Sequence, residues 1–414
     1  MTQAFEGIKI LDFTQVIAGP MATYQLALLG AEVIKVEALG TGDMCRHLLD
    51  PSEFGEQYFS PAFIGVNLNK RSIAVNLKAE GAATVLRPLI EQADVVVENF
   101  RPGVAARLGV DYETVRSLKP DVVYCSISGY GQSGPRSQQP AYDGAIQAAS
   151  GLMASNGHEE TGPTRTVSPI IDVTTGLMGA FAISSALHRK LATGEGQFLD
   201  VAMLDSAVTL LNPIYNVYLA TGAEPELIGN QSMTKLPTAN VFPTEDGYIQ
   251  LSAISDAQAT QLCAAMGLSA LLEDPRFATT KLRAENRDDM RALLIETLKT
   301  ATTEQWLSRF DDAGVPAAPV SSVAEVMADE HLLHRGLTAT LPMHPSLSHG
   351  DVSSITTAFV SNVDSPQARR TAPALGEHTE EVLLAHGFDT AQIRELEEHG
   401  VVACYGSESN PQAI

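Results

Sequence analysis

One carboxylate stands where a carboxylate can do covalent chemistry. Asp172 follows an apolar run and directly precedes a predicted helix in the segment 169–176, PIIDVTTG. That position places it near backbone N–H groups and the positive end of the helix dipole, which would keep it ionised. It could serve as a structural helix cap, or as a nucleophile that needs partial exclusion of water and donors for a developing oxyanion. The local pattern leaves both interpretations open.

Other chemical motifs are weak or missing. Residues 129–134 match GxGxxG, but Pro135 follows at once without a helical pattern, which indicates a turn and no nicotinamide site. His331 and His334 lack an HExxH pattern and cysteine partners, which indicates solvent-facing helix residues and predicts no metal site. The sequence contains neither GxxxxGK[ST] nor GxSxG, so it predicts neither a P-loop nor the nucleophile elbow of α/β-hydrolases.

The elements that must position Asp172 are short β-rich runs alternating with helical stretches. This alternation predicts βα units around a mostly parallel sheet. Apolar spacing and end signals predict crossover helices at 79–93 and 174–191, the second ending near Gly194. The predicted strands are 8–13, 31–37, 94–100, 121–128 and 197–203.

The second half of the chain has a different texture. Turn formers in 221–247 predict a linker after about residue 210, leading into a smaller α+β domain. That domain is expected to contain a strand at 247–253 and helical segments at 256–266 and 287–309. A proline-containing connector at 314–326, a strand at 355–360 and a helix at 379–386 are expected to follow.

Composition limits the class of protein. The 414 residues predict two or three domains, and 44% hydrophobic against 18% charged residues predict a large core. With 27 Lys and Arg against 49 Asp and Glu, the net charge of −22 argues against nucleic-acid and anionic-membrane partners. The four cysteines form no CxxC pair. The first residues do not have the pattern of a secretory signal peptide, and no run of about 18 apolar residues occurs. A protein of the reducing cytoplasm without a membrane segment is expected.

A set of short motifs in order along the chain resembles the class III coenzyme A-transferase family (CaiB/BaiF type). This family includes formyl-CoA transferase, carnitine CoA-transferase and, as a divergent branch, α-methylacyl-CoA racemase. Each motif is weak alone, but the ordered set covers nearly the whole chain and is specific. The motifs are GIKILDFT (7–14), AGP (18–20), LGAEVIKVE (29–37), GD (42–43) with Arg46, NKRS (69–72), VENFRPG (97–103), SGYG (128–131), PAYD (140–143), SGLM (150–153), TGEGQ (193–197) and LGEHT (375–379).

The resemblance implies a role for particular residues. Asp172 matches the nucleophilic aspartate of the family. Because coenzyme A brings phosphates to an acidic chain, Lys78 and Arg107 are expected to form a basic cluster, with Arg71 and Arg101 as further candidates. Coenzyme A is then a substrate and not a permanently bound cofactor, and no metal is implied. The implied coenzyme-binding positions are Val16, Ala18, Val75, Lys78, Asn99, Phe100, Arg107, Leu108 and Tyr142.

The resemblance also implies a mechanism and an architecture. In the family mechanism, Asp172 attacks a donor acyl-CoA, an acyl-aspartyl anhydride gives an aspartyl-CoA thioester, and an acceptor carboxylate reverses the sequence. The implied α/β fold has a Rossmann-like large domain completed by the C-terminal segment, a smaller α+β domain and an interlocked homodimer. The expected ranges are 1–210 with 335–414 for the large domain, 236–313 for the small domain, and 211–235 and 314–334 for the linkers.

Departures from the family pattern concern specificity. Ile17 and Ala38 stand where formyl-CoA transferase has glutamine and arginine, and 230–237 reads NQSMTKLP instead of a glycine run. The resemblance therefore leaves specificity for oxalate and formate open, and a small carboxylate or dicarboxylate acceptor is expected with succinyl-, acetyl- or formyl-CoA.

Two alternatives to the transferase are open. The racemase branch needs two opposed acid/base groups, and it has histidine where this chain has Tyr142. A tyrosine phenol, with an ordinary pKa of about 10, is a poor base at neutral pH. The second alternative, a noncatalytic CoA-binding protein, is disfavoured by Asp172 within an otherwise complete motif set.

Overall fold

The computed structural model describes residues 3–48, 58–345 and 350–407. The strands, in chain order, are β1 (Lys9–Asp12), β2 (Glu32–Glu37), β3 (Arg71–Val75), β4 (Val95–Glu98), β5 (Val123–Ser128), β6 (Gly157–His158), β7 (Gly162–Pro163), β8 (Gln197–Ala202), β9 (Val241–Pro243), β10 (Tyr248–Leu251), β11 (Ala317–Pro319), β12 (Thr338–Pro342), β13 (Asp351–Ile355) and β14 (Val402–Ala403). The α-helices are α1 (Ala18–Leu28), α2 (Pro61–Ile64), α3 (Ala82–Gln92), α4 (Val104–Arg107), α5 (Tyr112–Leu118), α6 (Asp143–Ala149), α7 (Ile170–Thr193), α8 (Met203–Leu210), α9 (Asn212–Thr221), α10 (Asp256–Ala265), α11 (Thr280–Glu285), α12 (Arg287–Leu298), α13 (Thr303–Asp312), α14 (Val323–Ala328), α15 (Glu330–Arg335), α16 (Thr379–Ala385) and α17 (Thr390–Glu398).

The chain forms two units. The first comprises Met1–Leu152, Thr166–Gly222 and Leu333–Ile414, and the second comprises Met153–Arg165 and Ala223–Leu332. The first unit contains a seven-stranded sheet in the order β14-β3-β2-β1-β4-β5-β8. All pairs are parallel except β14 with β3, where Val402 is opposite Val75. The fold is therefore α/β and Rossmann-like, and the C-terminal strand completes the sheet.

The five strands predicted in the first half are confirmed. Each forms within its predicted range, as β1, β2, β4, β5 and β8. Strand β4 shows the reason, because Val95, Val96 and Val97 are all fully buried. A parallel strand covered on both faces is a continuous apolar run, and such a run is visible in the sequence.

The two predicted crossover helices are α3 and α7. Helix α7 begins four residues earlier than predicted and is followed by Gly194, whose φ of 73° is left-handed. It packs closely on α1, since a Cβ at Gly176 would lie 2.6 Å from Met21 and 2.8 Å from the Ala18 carbonyl oxygen. Within the described ranges, α7 is the one helix whose length and composition would also suit a membrane span.

The second unit has a small antiparallel sheet, with β10 between β9 and β11. The predicted strand at 247–253 and helix at 256–266 are confirmed as β10 and α10. The single helical segment expected at 287–309 is wrong. It consists of α12 and α13, because Thr302 and Gln305 form a capping box that begins a new helix.

Three further segments differ from the sequence-based ranges. The connector at 314–326 contains β11, an edge strand in which prolines are tolerated because the ladder needs no N–H from them. The strand expected at 355–360 lies at Asp351–Ile355, paired with β12. The predicted linker 211–235 contains α9. Residues 153–165, predicted as part of the large domain, belong to the second unit, where the Gly157 oxygen accepts the Gly229 N–H at 2.7 Å.

Candidate active site

A cavity lies where the strand order of the large sheet reverses. Strand β1 lies between β2 and β4, so the loops that follow β1 and β4 leave the sheet in different directions. Ligands bind at such switch points in open α/β sheets. The cavity here has a volume of about 210 Å³. Six of the predicted site residues line it: Val16, Ala18, Asn99, Phe100, Tyr142 and Asp172.

Asp172 is the third residue of α7 and is half-buried. Among the residues that the structure describes, none donates a hydrogen bond to its carboxylate oxygens. Burial, and then the negative charge of Asp143, raises the pKa of Asp172 to about 7. The helix N-terminus was expected to keep Asp172 ionised, but burial and a second carboxylate act against the helix dipole and shift its pKa upward.

The helix-cap interpretation of Asp172 is also wrong. The N-cap residue of α7 is Pro169, which makes no side-chain cap. The capping carboxylate is that of Asp143, whose Oδ2 accepts the main-chain N–H of Ile171 at 2.8 Å and that of Asp172 at 3.2 Å. The side chain of Asp172 is thereby left available to a ligand. Sequence reasoning missed Asp143, although it is the last residue of the PAYD motif.

The loop after β1 is held in a strained conformation. Val16 has a φ of 69°, which is unusual for a β-branched residue. Its N–H donates to Asp43 Oδ1 at 2.9 Å. The side chain of Asn99 bridges to Gln15, the residue before Val16. It accepts the Gln15 N–H at 2.8 Å and donates to the Gln15 oxygen at 2.7 Å. Asn99 therefore fixes the wall of the cavity, since both ends of its amide already bind main chain.

Buried charges support this loop from below. The Lys35 ammonium donates to the Thr14 oxygen at 2.7 Å and pairs with Asp43 at 2.9 Å, with both side chains fully buried. Burial alone would raise the pKa of Glu37, but Arg46 at 2.7 Å and Lys35 lower it to about 2. These charges lie in β2 and in the segment that follows it, and they hold the cavity loops in one arrangement.

Four predicted coenzyme-binding residues do not line this cavity. Val75 is 1% exposed in the core, and Leu108 packs against the same cluster. Lys78 and Arg107 are exposed, and their role in binding stays a prediction. Of the two further basic candidates, Arg101 lines the cavity. Arg71 begins β3, at the opposite end of the sheet, and is paired with Glu32 and Glu381.

The chain is similar to known proteins over most of its length. The family model described as CoA-transferase family III matches residues 5–379. The human succinyl-CoA:glutarate CoA-transferase is 37% identical over 398 residues, covering 96% of this chain and 89% of that protein. The succinyl-CoA:mesaconate CoA-transferase of Haloarcula marismortui is 34% identical, covering 94% of this chain and 98% of the relative. A crystal structure of a CaiB/BaiF family protein from Brucella suis superposes with a TM-score of 0.81 at 32% identity, covering 93% of this chain and 100% of that one.

Proposed function

This chain belongs to the CoA-transferase family III, and from that premise we propose that it moves CoA from succinyl-CoA to a small dicarboxylate through a covalent intermediate on Asp172. The observation that carries the proposal is the Asp172 carboxylate itself. It is half-buried, accepts no hydrogen bond from the described residues and faces a cavity at the switch point of the sheet. A carboxylate that is neither paired nor capping is suited to attack a thioester.

The proposed reaction conserves the thioester. Asp172 attacks the carbonyl carbon of the donor, and the C–S bond breaks to release CoA thiolate and leave an acyl-aspartyl anhydride. The thiolate attacks the aspartyl carbonyl carbon, releasing the donor as a free carboxylate and leaving an aspartyl-CoA thioester. The acceptor carboxylate attacks that thioester, and the thiolate then takes the acceptor acyl group from the new anhydride. Asp172 returns as a carboxylate.

The preference for a dicarboxylate rests on Arg101. Among the described residues that line the cavity, Arg101 and Asp172 carry the charges, and they have opposite signs. One carboxylate of a dicarboxylate would react at Asp172, while the guanidinium of Arg101 would bind the other. The succinyl-CoA:glutarate and succinyl-CoA:mesaconate enzymes named above act on acids of this class, which supports the proposal.

A matched pair of acceptors tests the function. With succinyl-CoA as donor, we expect glutarate to be converted to its CoA ester with ping-pong kinetics, and valerate, which lacks the second carboxylate, to react at least about 10-fold less efficiently. Arg101→Met should lower kcat/KM for glutarate and leave that for valerate unchanged. Mass spectrometry of the CoA esters measures both rates. Equal use of the two acids would contradict the dicarboxylate preference.

The racemase alternative is tested by the α-hydrogen. A transferase leaves that carbon untouched, whereas a racemase removes and returns its proton. A 2-methylacyl-CoA incubated with the enzyme in deuterated water should therefore gain no deuterium at C2 beyond the enzyme-free rate. Enzyme-dependent deuterium uptake without an acceptor would favour the racemase.

We also propose that Lys78 and Arg107 bind the phosphates of CoA. Replacing either by Ala should weaken the binding of an acyl-CoA by about 3- to 10-fold at low salt, and less at high salt, because a charged contact is screened. Titration calorimetry at two ionic strengths measures this. The control is Lys281→Ala, an exposed lysine of the second unit. Binding that matches the parent at both salt concentrations would show that Lys78 and Arg107 are surface charges without a role.

A homodimer in the cytoplasm is part of the same proposal. The exposed face of α7 supports an interface, since Phe181 is 66% and Leu191 84% exposed. Large apolar side chains in such positions are typical of surfaces that another chain covers. The four cysteines, all free, are compatible with a reducing compartment.

A further inference from the structure

The N-terminus of α7 has all its main-chain donors accounted for. The Ile170 N–H donates to the Ser168 oxygen at 2.8 Å, and the Val173 N–H donates to the Pro169 oxygen at 3.1 Å. The two N–H groups between them, of Ile171 and Asp172, both donate to one oxygen of Asp143. Asp143 belongs to α6, so a side chain 29 residues away fixes the main chain of the nucleophile.

Asp143 is itself held firmly. Its side chain is buried, and its Oδ1 accepts Gln147 Nε2 at 2.6 Å. Gln147 is fully buried, and its own oxygen accepts the Thr166 N–H at 2.9 Å. One side of the Asp143 carboxylate is therefore anchored within α6, and the other points at the first turn of α7. Both oxygens of the Asp143 carboxylate thus have hydrogen-bond partners, as expected of a residue that positions another group.

We propose, resting on the function proposed above, that Asp143 positions Asp172 for attack through these two main-chain hydrogen bonds, and that its negative charge makes the Asp172 carboxylate the stronger nucleophile. A carboxylate near a buried like charge is destabilised as an anion, and a less stable anion gains more when it bonds to carbon. Asp143 is buried and does not line the cavity, so it acts through Asp172.

Other charged or titratable side chains lie near Asp172. Arg101 and Tyr142 line the same cavity from the loops after β4 and before α6. Cys45 lies close enough that the Asp172 charge adds to burial and Asp43 in raising the pKa of its thiol. Asp143 is the group whose charge, after burial, raises the pKa of Asp172. Its removal should therefore be visible in the pH dependence of the reaction.

The first experiment compares pH profiles. Asp143→Asn keeps the shape of the side chain and an oxygen for the two N–H groups. It removes the charge and places an amide nitrogen where Oδ1 accepts Gln147 Nε2. We expect the acid limb of kcat/KM for succinyl-CoA to move to lower pH by about one unit, and kcat on the plateau to fall about 10-fold. The matched control is Asp111→Asn. The carboxylate of Asp111 also caps a helix, since it accepts the N–H groups of Glu113 and Thr114 in α5, and the substitution removes its charge. That variant should keep the parent profile.

The second readout needs no turnover. Folding raises the pKa of Asp172 from 3.8 to about 7, so its ionised form destabilises the folded state increasingly as pH rises from 4 to 8. Asp172→Asn should thus raise the Tm at pH 8 but not at pH 4. In the Asp143→Asn background this gain in Tm should be smaller. If Asp143→Asn does not fold, Gln147→Met replaces it, and a fall in kcat with an unmoved acid limb is expected, because the anchor is lost while the charge stays.

The outcomes separate the two proposals. Transfer that is lost in Asp172→Asn, together with a profile of Asp143→Asn that coincides with the parent at every pH, rejects the role of Asp143 and leaves the transferase proposal intact. An equal Tm gain from Asp172→Asn in both backgrounds rejects that role even if no donor is turned over. In the Gln147→Met variant, an unchanged kcat does the same. A parent enzyme that converts no acyl-CoA with any acceptor rejects the transferase proposal instead.

Discussion

Replacing Asp172 by Asn or Ala should lower kcat for CoA transfer by at least about 10³-fold, while CoA still binds. The carboxylate is the group that forms the anhydride in the proposed reaction, and neither substitute can form one. Binding should be little changed because the proposed phosphate contacts, Lys78 and Arg107, are untouched. Steady-state kinetics and titration calorimetry with CoA measure the two quantities separately.

The matched control for Asp172 is Asp205→Asn. Asp205 is also the third residue of a helix, α8, but it is exposed and does not line the cavity. It should keep the parent kcat. In the parent enzyme, incubation with succinyl-CoA followed by hydroxylamine should convert Asp172 to a hydroxamate that peptide mass mapping detects. More than a few per cent of parent activity in Asp172→Ala, or an unmodified peptide during turnover, would contradict the covalent route.

Replacing Lys35 by Met should destabilise the first unit by about 3–5 kcal/mol. The substitution removes the cation that pairs with Asp43 and binds the Thr14 oxygen. It leaves Asp43 as a buried anion without that cation, whereas Asp12 and Glu37 keep their pairs with Lys70 and Arg46. Activity should fall as well, since Asp43 also holds the strained residue Val16. Calorimetric unfolding is the appropriate measurement. Fluorescence of Trp306, the one tryptophan, reports on the second unit instead.

The comparison for Lys35 is an exposed ion pair of the same unit. Arg189 and Glu195 lie 2.6 Å apart, with 45% and 67% of their side chains exposed. Arg189→Met should cost less than about 1 kcal/mol, because water screens the charges and solvates the partner left behind. If Lys35→Met were as mild as Arg189→Met, the buried charges would not be what holds the cavity loops.

The sequence by itself determined the class of fold, and it predicted Asp172 as the nucleophile. Parallel strands buried on both faces are continuous apolar runs, so β4 and β5 could be located within two residues. Gly194 marked the end of α7, since a left-handed φ favours glycine. The apolar run of a buried strand and the glycine after a helix are both local signals, because each depends on only a few consecutive residues.

The ordered motifs extended the prediction from a fold class to a family, and the family model matches residues 5–379. They did not distinguish residues that bind a ligand from residues that support the loops. Asn99 was predicted to bind coenzyme, which stays a prediction; it lines the cavity, and its amide also supports the loop through two main-chain hydrogen bonds. Lys35 lies in the motif at 29–37. A lysine is ordinarily expected at the surface, but the side chain of Lys35 is fully buried.

Only the tertiary structure decided where charges meet. The reversal of strand order at β1 creates the cavity, and strand order depends on pairings between residues far apart in the chain. The capping of α7 by Asp143 depends on the same folding, as does the pKa of Asp172, which burial and Asp143 raise to about 7. The helix dipole considered alone favours the ionised form of Asp172, which is the opposite direction of pKa shift. A local sequence pattern contains neither the loss of water around a carboxylate nor a second charge brought close by the fold.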